Sequence, residues 1–259
     1  MIERVPAIFP GRGFDKPMNT HNHVYVGRDL EAMSFAINYH QWILQIFSPF
    51  IGTRIVEVGA GTGSFSEMIL QKNIQSMSLV EPSTEMYKTL GERMNHIKSR
   101  VQIETYNSIF IDVADHIKSS QQPDSIVYVN VLEHIADDVA ELQAVHRTLA
   151  PNGRVFIFVP ALRWLLGSFD QQIGHFRRYA KKELEEKCRQ VGFKILESKY
   201  LDFAGIVPWW IKYRLLKSNT MEPGLIAVYD KYFIPVAKVI ESQLKLPIGK
   251  NIILIAEKL

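Results

Sequence analysis

Three glycines spaced two residues apart follow a run of apolar and β-branched residues that contains one carboxylate. The stretch is IVEVGAGTGSF, residues 55–65, with Glu57 inside the run and Gly59, Gly61 and Gly63 behind it. Glycines at this spacing permit a tight turn between a strand and a helix, and they let a ligand lie against bare backbone. The pattern therefore predicts a small-molecule site at the carboxyl end of a strand.

Two classes of ligand use such a turn. A dinucleotide favours G-x-G-x-x-G, with its pyrophosphate on the helix N-terminus, but here the third glycine position holds Ser64. Glu57 would repel a pyrophosphate, whereas it suits a ligand with an ammonium or sulfonium group. This favours S-adenosylmethionine over NAD. Glu81 follows the next predicted strand, where its carboxylate can accept both ribose hydroxyls of either ligand.

Alternating strands and helices must position these residues. The pattern predicts strands at 54–58, 76–80, 101–105, 125–129, 154–159 and 193–201, with NIILIAEKL as the last strand. It predicts helices at 29–48, 63–72, 83–97, 136–149 and 181–191. Strands separated by helices indicate an α/β fold, a doubly wound, mostly parallel sheet. We expect a single domain over 1–259, with an N-terminal lid or helix at 1–50 and a helical insertion at 203–249.

Four ordered stretches carry a family resemblance: VEVGAGTGSF, LVEPS, VNVLEHI and LAPNGRVFIFVP. Together they resemble the class I S-adenosylmethionine-dependent methyltransferases, over roughly residues 30–200 and again at the last strand. The resemblance implies a Rossmann-like, seven-stranded sheet whose last strand is antiparallel. It also implies a set of cofactor-binding residues. By position these are Glu57, Gly59, Ala60, Gly61, Thr62, Gly63, Glu81, Pro82, Asn107, Ser108, Asn130, Val131 and Leu132. Asn107 stands where the family often has aspartate.

A block at 169–193, FDQQIGHFRRYAKKELEEKCRQVGF, resembles a D-x-x-x-G-H-x-R-R-Y pattern of bacterial methyltransferases. His175 is the candidate catalytic base for removing a proton from the acceptor; the alternative is a histidine that only orders its loop. Arg177 and Arg178 are candidate substrate-binding residues, one for a phosphate or carboxylate and the other for a nearby acid. Tyr179 is placed with them, and packing is its alternative role. His134 is a weaker candidate base.

The stretch FAGIVPWWIKYRLLK, residues 203–217, combines two tryptophans with basic residues. It fits an amphipathic helix lying on a membrane or a lipid-like acceptor. The alternative is a helix that closes the acceptor site, with Trp209 or Trp210 as its inner wall. Tyr25, Tyr39 and Trp42 are candidate residues of a lid over the cofactor, with ordinary packing as the alternative.

Composition limits the other classes of function. The net charge of +3 does not indicate nucleic-acid binding, although residues 160–217 carry a net +6. The single cysteine, Cys188, fits a reducing compartment, and no apolar run is long enough for a transmembrane segment. His21 and His23 have no clear third partner, so we expect no metal site. We expect a cytoplasmic enzyme, and the alternative is an enzyme that associates peripherally with a membrane surface.

The expected function is S-adenosylmethionine-dependent methyl transfer to a small-molecule, glycosylated or lipid-linked acceptor. Oxygen is the favoured target atom. An anionic or lipid-like acceptor fits the basic and aromatic stretches. N- or C-methylation of a secondary metabolite, a nicotinamide-dependent dehydrogenase and a non-catalytic cofactor-binding protein are the alternatives.

Overall fold

A seven-stranded sheet forms the centre of the molecule in the computed structural model, which describes residues 36–97, 100–244 and 246–259. The strands are β1 (Arg54–Val58), β2 (Ser76–Val80), β3 (Gln102–Tyr106), β4 (Ser125–Val129), β5 (Arg154–Pro160), β6 (Phe193–Leu201) and β7 (Asn251–Lys258). Their order is β3-β2-β1-β4-β5-β7-β6. The first five are parallel, and β7 runs antiparallel to both β5 and β6. This confirms the predicted fold class.

Helices cover both faces of the sheet. They are α1 (Ile37–Phe47), α2 (Ser64–Leu70), α3 (Thr84–His96), α4 (Phe110–Gln121), α5 (Asp138–Thr148), α6 (Ser168–Gln172) and α7 (Lys181–Val191). Two apolar clusters, one on each face, form the core. The central strands β4 and β5 are apolar almost throughout because both of their faces are covered, whereas the edge strands β3 and β6 carry polar and charged residues.

The helical insertion before β7 contains α8 (Ile206–Trp209), α9 (Pro223–Val228) and α10 (Ile234–Gln243). Two π-helical turns, Trp210–Leu215 and Tyr229–Phe233, continue α8 and lead into α10. The sequence pattern predicted the helical character of this insertion. None of the helices in the described residues has the length and apolarity that a membrane crossing requires.

Helix α4 was missing from the sequence prediction. Its buried residues Phe110, Ala114 and Ile117 have helical spacing, but Ser119 and Ser120 weaken the pattern. The helix ends at Gln122, a non-glycine residue with a φ of 43°. Residue 101 was predicted to begin β3, which instead runs over 102–106. The first 35 residues lie outside the described part, so Tyr25, His21 and His23 are not placed.

Candidate active site

A cleft of about 170 Å³ opens at the carboxyl ends of β1 and β4. These neighbouring central strands mark the point where the chain reverses its direction of winding across the sheet. Such a switch point leaves a crevice between the loops that leave the two strands in opposite directions. Six of the predicted cofactor residues line the cleft: Glu57, Gly59, Ala60, Gly61, Thr62 and Asn130.

The glycine turn after β1 has the backbone that its sequence predicts. Gly59, Gly61 and Gly63 have φ values of 70°, 56° and 82°, in the left-handed region that side chains disfavour. The amides of Gly59 and Ala60 both donate to the carbonyl of Val80, at 2.8 and 3.1 Å. A Cβ atom on Gly59 would lie 2.3 Å from Val131 Cγ2, so this close packing excludes a side chain. At Gly59 and Gly61 the turn therefore presents bare backbone to the cleft, and Ala60 and Thr62 line the cleft beside them.

Glu81 holds the turn from the end of β2. Its Oε2 accepts the Gly61 amide at 2.8 Å, and its Oε1 accepts the Ser83 amide at 2.8 Å. Burial raises the pKa of Glu81, and these two hydrogen bonds oppose that rise. Asn107 donates from its side chain to the Glu81 carbonyl at 2.9 Å, which ties the end of β3 to the same loop. The cleft lining does not itself include Glu81 or Asn107.

Five further predicted cofactor residues also lie outside the cleft lining: Gly63, Pro82, Ser108, Val131 and Leu132. Gly63 is the N-cap of α2, where a Cβ would lie 2.8 Å from Leu90. Leu132 is fully buried, and Val131 packs on Gly59. The packing of Val131 on Gly59 supports the shape of the turn, and cofactor contact by all five residues stays a prediction.

Glu57 is a buried acid in the floor of the cleft. Its Oε2 accepts the Ser66 hydroxyl at 2.5 Å, and burial raises the pKa of the carboxyl to about 8. A buried carboxylate without a cation is costly, so the ligand-free protein keeps this acid largely protonated. A cationic ligand beside it would favour the ionised form.

The pH dependence of stability tests this state of Glu57. A raised folded-state pKa contributes stability that is complete below the ordinary value of 4.5 and is lost as the pH rises to about 8. We therefore expect Glu57→Gln to lose less unfolding free energy than the wild type between about pH 5 and pH 8. Denaturant unfolding of both ligand-free proteins across this pH range measures the free energy of unfolding. The same slope in both proteins would mean that Glu57 is already ionised in the fold.

The side of the cleft that holds His175 is built around Asp170. Its Oδ1 accepts His175 Nδ1 at 2.8 Å and Arg178 Nε at 2.8 Å, and its Oδ2 accepts the Gly167 amide at 2.9 Å. Burial alone would raise the pKa of Asp170, but the hydrogen bond from His175 and the charge of Arg178 lower it overall. Asp170 is thus a fixed anion that orients the imidazole and leaves His175 Nε2 as the remaining ring nitrogen.

His175 lies in the cleft lining beside Glu133 and His134. Its Nε2 is 3.8 Å from Glu133 Oε1, and its ring centroid is 4.6 Å from that of His134. Burial lowers the pKa of His175, and the hydrogen bond to Asp170 opposes the shift only in part. The lowered pKa favours the neutral imidazole, which is the form that a general base requires.

Glu133 was not selected in the sequence analysis, although it lies inside VNVLEHI. It is fully buried, neither carboxylate oxygen has a hydrogen-bond partner, and burial raises its pKa to about 8. An unpartnered buried acid is uncommon outside functional sites. Glu133, His134 and His175 each offer a ligand atom within 4.8 Å of the others, close enough to hold a metal ion. The expectation of no metal site is thus open to test.

The two arginines have different surroundings. Arg178 is buried, lines the cleft, and places its guanidinium 4.6 Å from the centre of the Trp209 ring. Arg177 pairs with Asp138 at 2.7 Å and is outside the cleft lining. Tyr179 is also outside it, buried with its hydroxyl 2.7 Å from Asp138. Each arginine is therefore engaged by a carboxylate, and substrate contact remains a prediction for Arg177, Arg178 and Tyr179.

A second cavity of about 370 Å³ lies within the helical insertion next to the cleft. Trp209, Tyr39, Met221 and Lys250 line both cavities, so the two spaces share a wall. Trp210, the other predicted wall residue, lines neither and is exposed. In α1, Tyr39 lines the cleft and is also buried with Trp42 in one core cluster, so a lid role for either residue stays a prediction.

Comparison with known proteins agrees with this geometry. A family model described as "Methyltransferase domain" matches residues 39–198. A relative from Xanthomonas oryzae pv. oryzae, "Ubiquinone biosynthesis O-methyltransferase", is 28% identical over 106 residues. That match covers 41% of this chain and 42% of the relative.

Solved structures share the fold at low sequence identity. An S-adenosylmethionine-dependent methyltransferase from Archaeoglobus fulgidus superposes with a TM-score of 0.57 at 17% identity, covering 89% of this chain and 99% of the other. Phosphoethanolamine N-methyltransferase 2 from Haemonchus contortus, in complex with S-adenosyl-L-methionine, gives 0.59 at 18% identity. The coverage there is 92% of this chain and 58% of the other.

Proposed function

This chain belongs to the methyltransferase-domain family as a class I S-adenosylmethionine-dependent enzyme, and from that premise we propose that it methylates a hydroxyl oxygen of an amphiphilic small-molecule acceptor. The observation that carries the proposal is the pair of Asp170 and His175, which lines the same cleft as the glycine turn. A hydroxyl must lose a proton when it is methylated, and this pair supplies an oriented base. The relative named as an O-methyltransferase supports oxygen as the target.

The residues of the cleft fit the cofactor. Glu57 offers a buried carboxyl near the bare turn, where a cationic methionine end would stabilise its ionised form. Glu81 is the proposed acceptor of the ribose hydroxyls, since it follows β2 and already shapes the turn through Gly61. We propose Asn107 and Ser108 beside the adenine, and Asn130 near the methyl group.

The protein's own part in the reaction is alignment and proton removal. When bound, S-adenosylmethionine supplies a methyl group activated by a sulfonium. The cleft would hold the acceptor hydroxyl, and His175 Nε2 would take its proton as the methyl group is transferred. Asp170 would stabilise the resulting imidazolium through its bond to Nδ1.

An amphiphilic acceptor is proposed because of the second cavity. It is lined mostly by apolar and aromatic side chains, including Leu225, Ile226 and Phe233, and it shares Trp209 with the reaction cleft. A molecule with a hydroxylated head and an apolar tail would fill both spaces. This assignment fits a lipid-linked acceptor. We also propose that this chain belongs to the subgroup of bacterial methyltransferases that have the D-x-x-x-G-H-x-R-R-Y pattern.

Calorimetry with S-adenosylhomocysteine and NADH tests the cofactor assignment. We expect Glu81→Ala to weaken S-adenosylhomocysteine binding by about 1–3 kcal/mol, the range for loss of a charged hydrogen-bond partner. Glu85→Ala, an exposed glutamate on the adjoining helix, is the matched control and should bind as the wild type does. Unchanged binding by Glu81→Ala would remove the ribose role, and binding of NADH alone would overturn the cofactor assignment.

A further inference from the structure

The helical insertion presents an unusual concentration of apolar side chains to the outside. Of the twenty large hydrophobic side chains that are exposed among the described residues, fourteen belong to residues 203–244. We call this set the outer apolar face. It consists of Phe203, Val207, Trp210, Ile211, Leu215, Leu216, Leu225, Val228, Tyr232, Phe233, Val236, Val239, Ile240 and Leu244.

The spacing of these residues follows the helices that carry them. Val207, Ile211 and Leu215 recur every four residues, while the neighbouring Ile206 and Tyr213 point into the protein and are buried. In α10, Val236, Val239 and Ile240 lie on one side, and Ile234 and Ala237 are buried on the other. These helices therefore have an apolar outer side where a water-facing helix has polar residues.

Buried polar contacts hold the inner side of the insertion in place. Asp230 accepts the backbone amides of Asn38 and Tyr39 at 2.9 and 2.8 Å, and so caps α1, which has no capping side chain of its own. Glu241 accepts the amides of Asp202 and Phe203 at 3.1 and 2.8 Å. Because these contacts fix the inner side, the outer apolar face is a defined surface.

The charge around this face is positive. Residues 203–250 contain seven lysines and arginines against three acids, although Lys250 pairs with Asp202 on the inner side and Lys212 pairs with Glu222. Two of the acids, Asp230 and Glu241, bind backbone amides on the inner side. Arg214, Lys217 and Lys231 are exposed among the apolar residues. Aromatic, aliphatic and basic side chains on one helical surface are the composition of a segment that binds the interface of an anionic membrane.

We propose that the outer apolar face docks on the surface of an anionic lipid bilayer, with α8, α9 and α10 lying in the headgroup region. The second cavity supports a lipid bilayer as the partner of this face, because Leu225, Val228 and Phe233 belong to the outer apolar face and also line the cavity. An apolar tail could thus pass between the bilayer and a space that borders the cleft. Docking itself depends neither on the methyl-transfer reaction nor on the identity of the acceptor.

Sedimentation with vesicles tests the proposal in the ligand-free, full-length protein. We expect binding to vesicles of equal parts phosphatidylcholine and phosphatidylglycerol, and weaker binding to phosphatidylcholine alone. Val239→Ser/Ile240→Ser should lower the partition coefficient at least tenfold. Ile109→Ser/Ile111→Ser is the matched control, because it removes two similarly exposed aliphatic side chains outside the insertion and should bind as the wild type does.

Thermal unfolding checks that each variant keeps its fold, light scattering measures its oligomeric state, and calorimetry with S-adenosylhomocysteine tests the proposed function separately. Failure of the wild type to sediment with either vesicle would overturn the proposal. Equal losses of vesicle binding in Val239→Ser/Ile240→Ser and in the control variant would also overturn the proposal. A stable dimer that binds no vesicle and is disrupted only by Val239→Ser/Ile240→Ser would mean that a second copy covers the face. A failure of S-adenosylhomocysteine binding with intact vesicle binding would count against the proposed function alone.

Discussion

His175→Ala is expected to lower turnover by roughly 10²–10⁴-fold while leaving the affinity for S-adenosylhomocysteine nearly unchanged. This is the usual contribution of a positioned general base. His175 is hydrogen-bonded to Asp170 at 2.8 Å, and this contact orients the imidazole of the proposed base. Single-turnover methyl transfer from labelled S-adenosylmethionine measures the chemical step directly. The loss should shrink at high pH if the acceptor hydroxyl ionises by itself.

Two comparisons make the His175 experiment specific. His116→Ala removes an exposed histidine from α4 and should leave turnover unchanged. A chelator added to the wild type separates a base from a metal ligand, because Glu133, His134 and His175 lie within reach of one ion. Activity that disappears with chelator and returns with a divalent cation would contradict the base role. Full activity of His175→Ala at neutral pH would leave the histidine a structural role.

The glycine turn and its link to Glu81 could be predicted from sequence because their signals are local. Gly59, Gly61 and Gly63 report a backbone requirement within one turn, and Glu81 follows from the end of the next strand. The positive φ values of the glycines confirm the predicted turn. The hydrogen bond from the Gly61 amide to Glu81 spans only twenty residues and two adjacent strands. Short-range patterns of this kind are where sequence reasoning is most dependable.

The surroundings of His175 could not be predicted in the same way, because they depend on contacts between distant loops. Glu133 follows β4, and its carbonyl accepts the Phe176 amide at 2.9 Å, which brings the two loops together beside His175. Nothing in the residues around Glu133 indicates that both carboxylate oxygens lack partners. The second cavity likewise needs α1 to meet the insertion, through a contact between Asn38 and Asp230 that spans 192 positions.

The adjacent arginines show a further limit of prediction from sequence. Their neighbouring positions predicted divided roles, but not which carboxylate each would meet. Arg178 is buried against Asp170, whereas Arg177 shares Asp138 with Lys187, whose Nζ is 2.6 Å from that carboxylate. Asp138 therefore keeps a cation when Arg177 is removed, and Asp170 loses its guanidinium when Arg178 is removed. We therefore expect the two substitutions to lower the free energy of unfolding by very different amounts.

Arg178→Ala should lower the free energy of unfolding by about 3–5 kcal/mol, the cost of leaving one member of a buried ion pair without its partner. Arg177→Ala should cost at most about 1 kcal/mol, because its side chain is partly exposed and Asp138 stays paired. Denaturant unfolding of the ligand-free proteins measures both values. Similar losses in the two variants would contradict the assignment of Arg178 to the structural ion pair.

The pH dependence identifies the cause of the loss in Arg178→Ala. The lowered pKa of Asp170 means that its ion pair stabilises the fold above the ordinary carboxyl pKa and that this contribution disappears as the pH falls through the folded-state value. The difference in stability between the wild type and Arg178→Ala should therefore shrink in acid, as Asp170 becomes protonated in both. A constant difference across that range would attribute the loss to the packing of the guanidinium on Trp209 instead of to its charge, because stacking on the ring does not depend on the ionisation of Asp170.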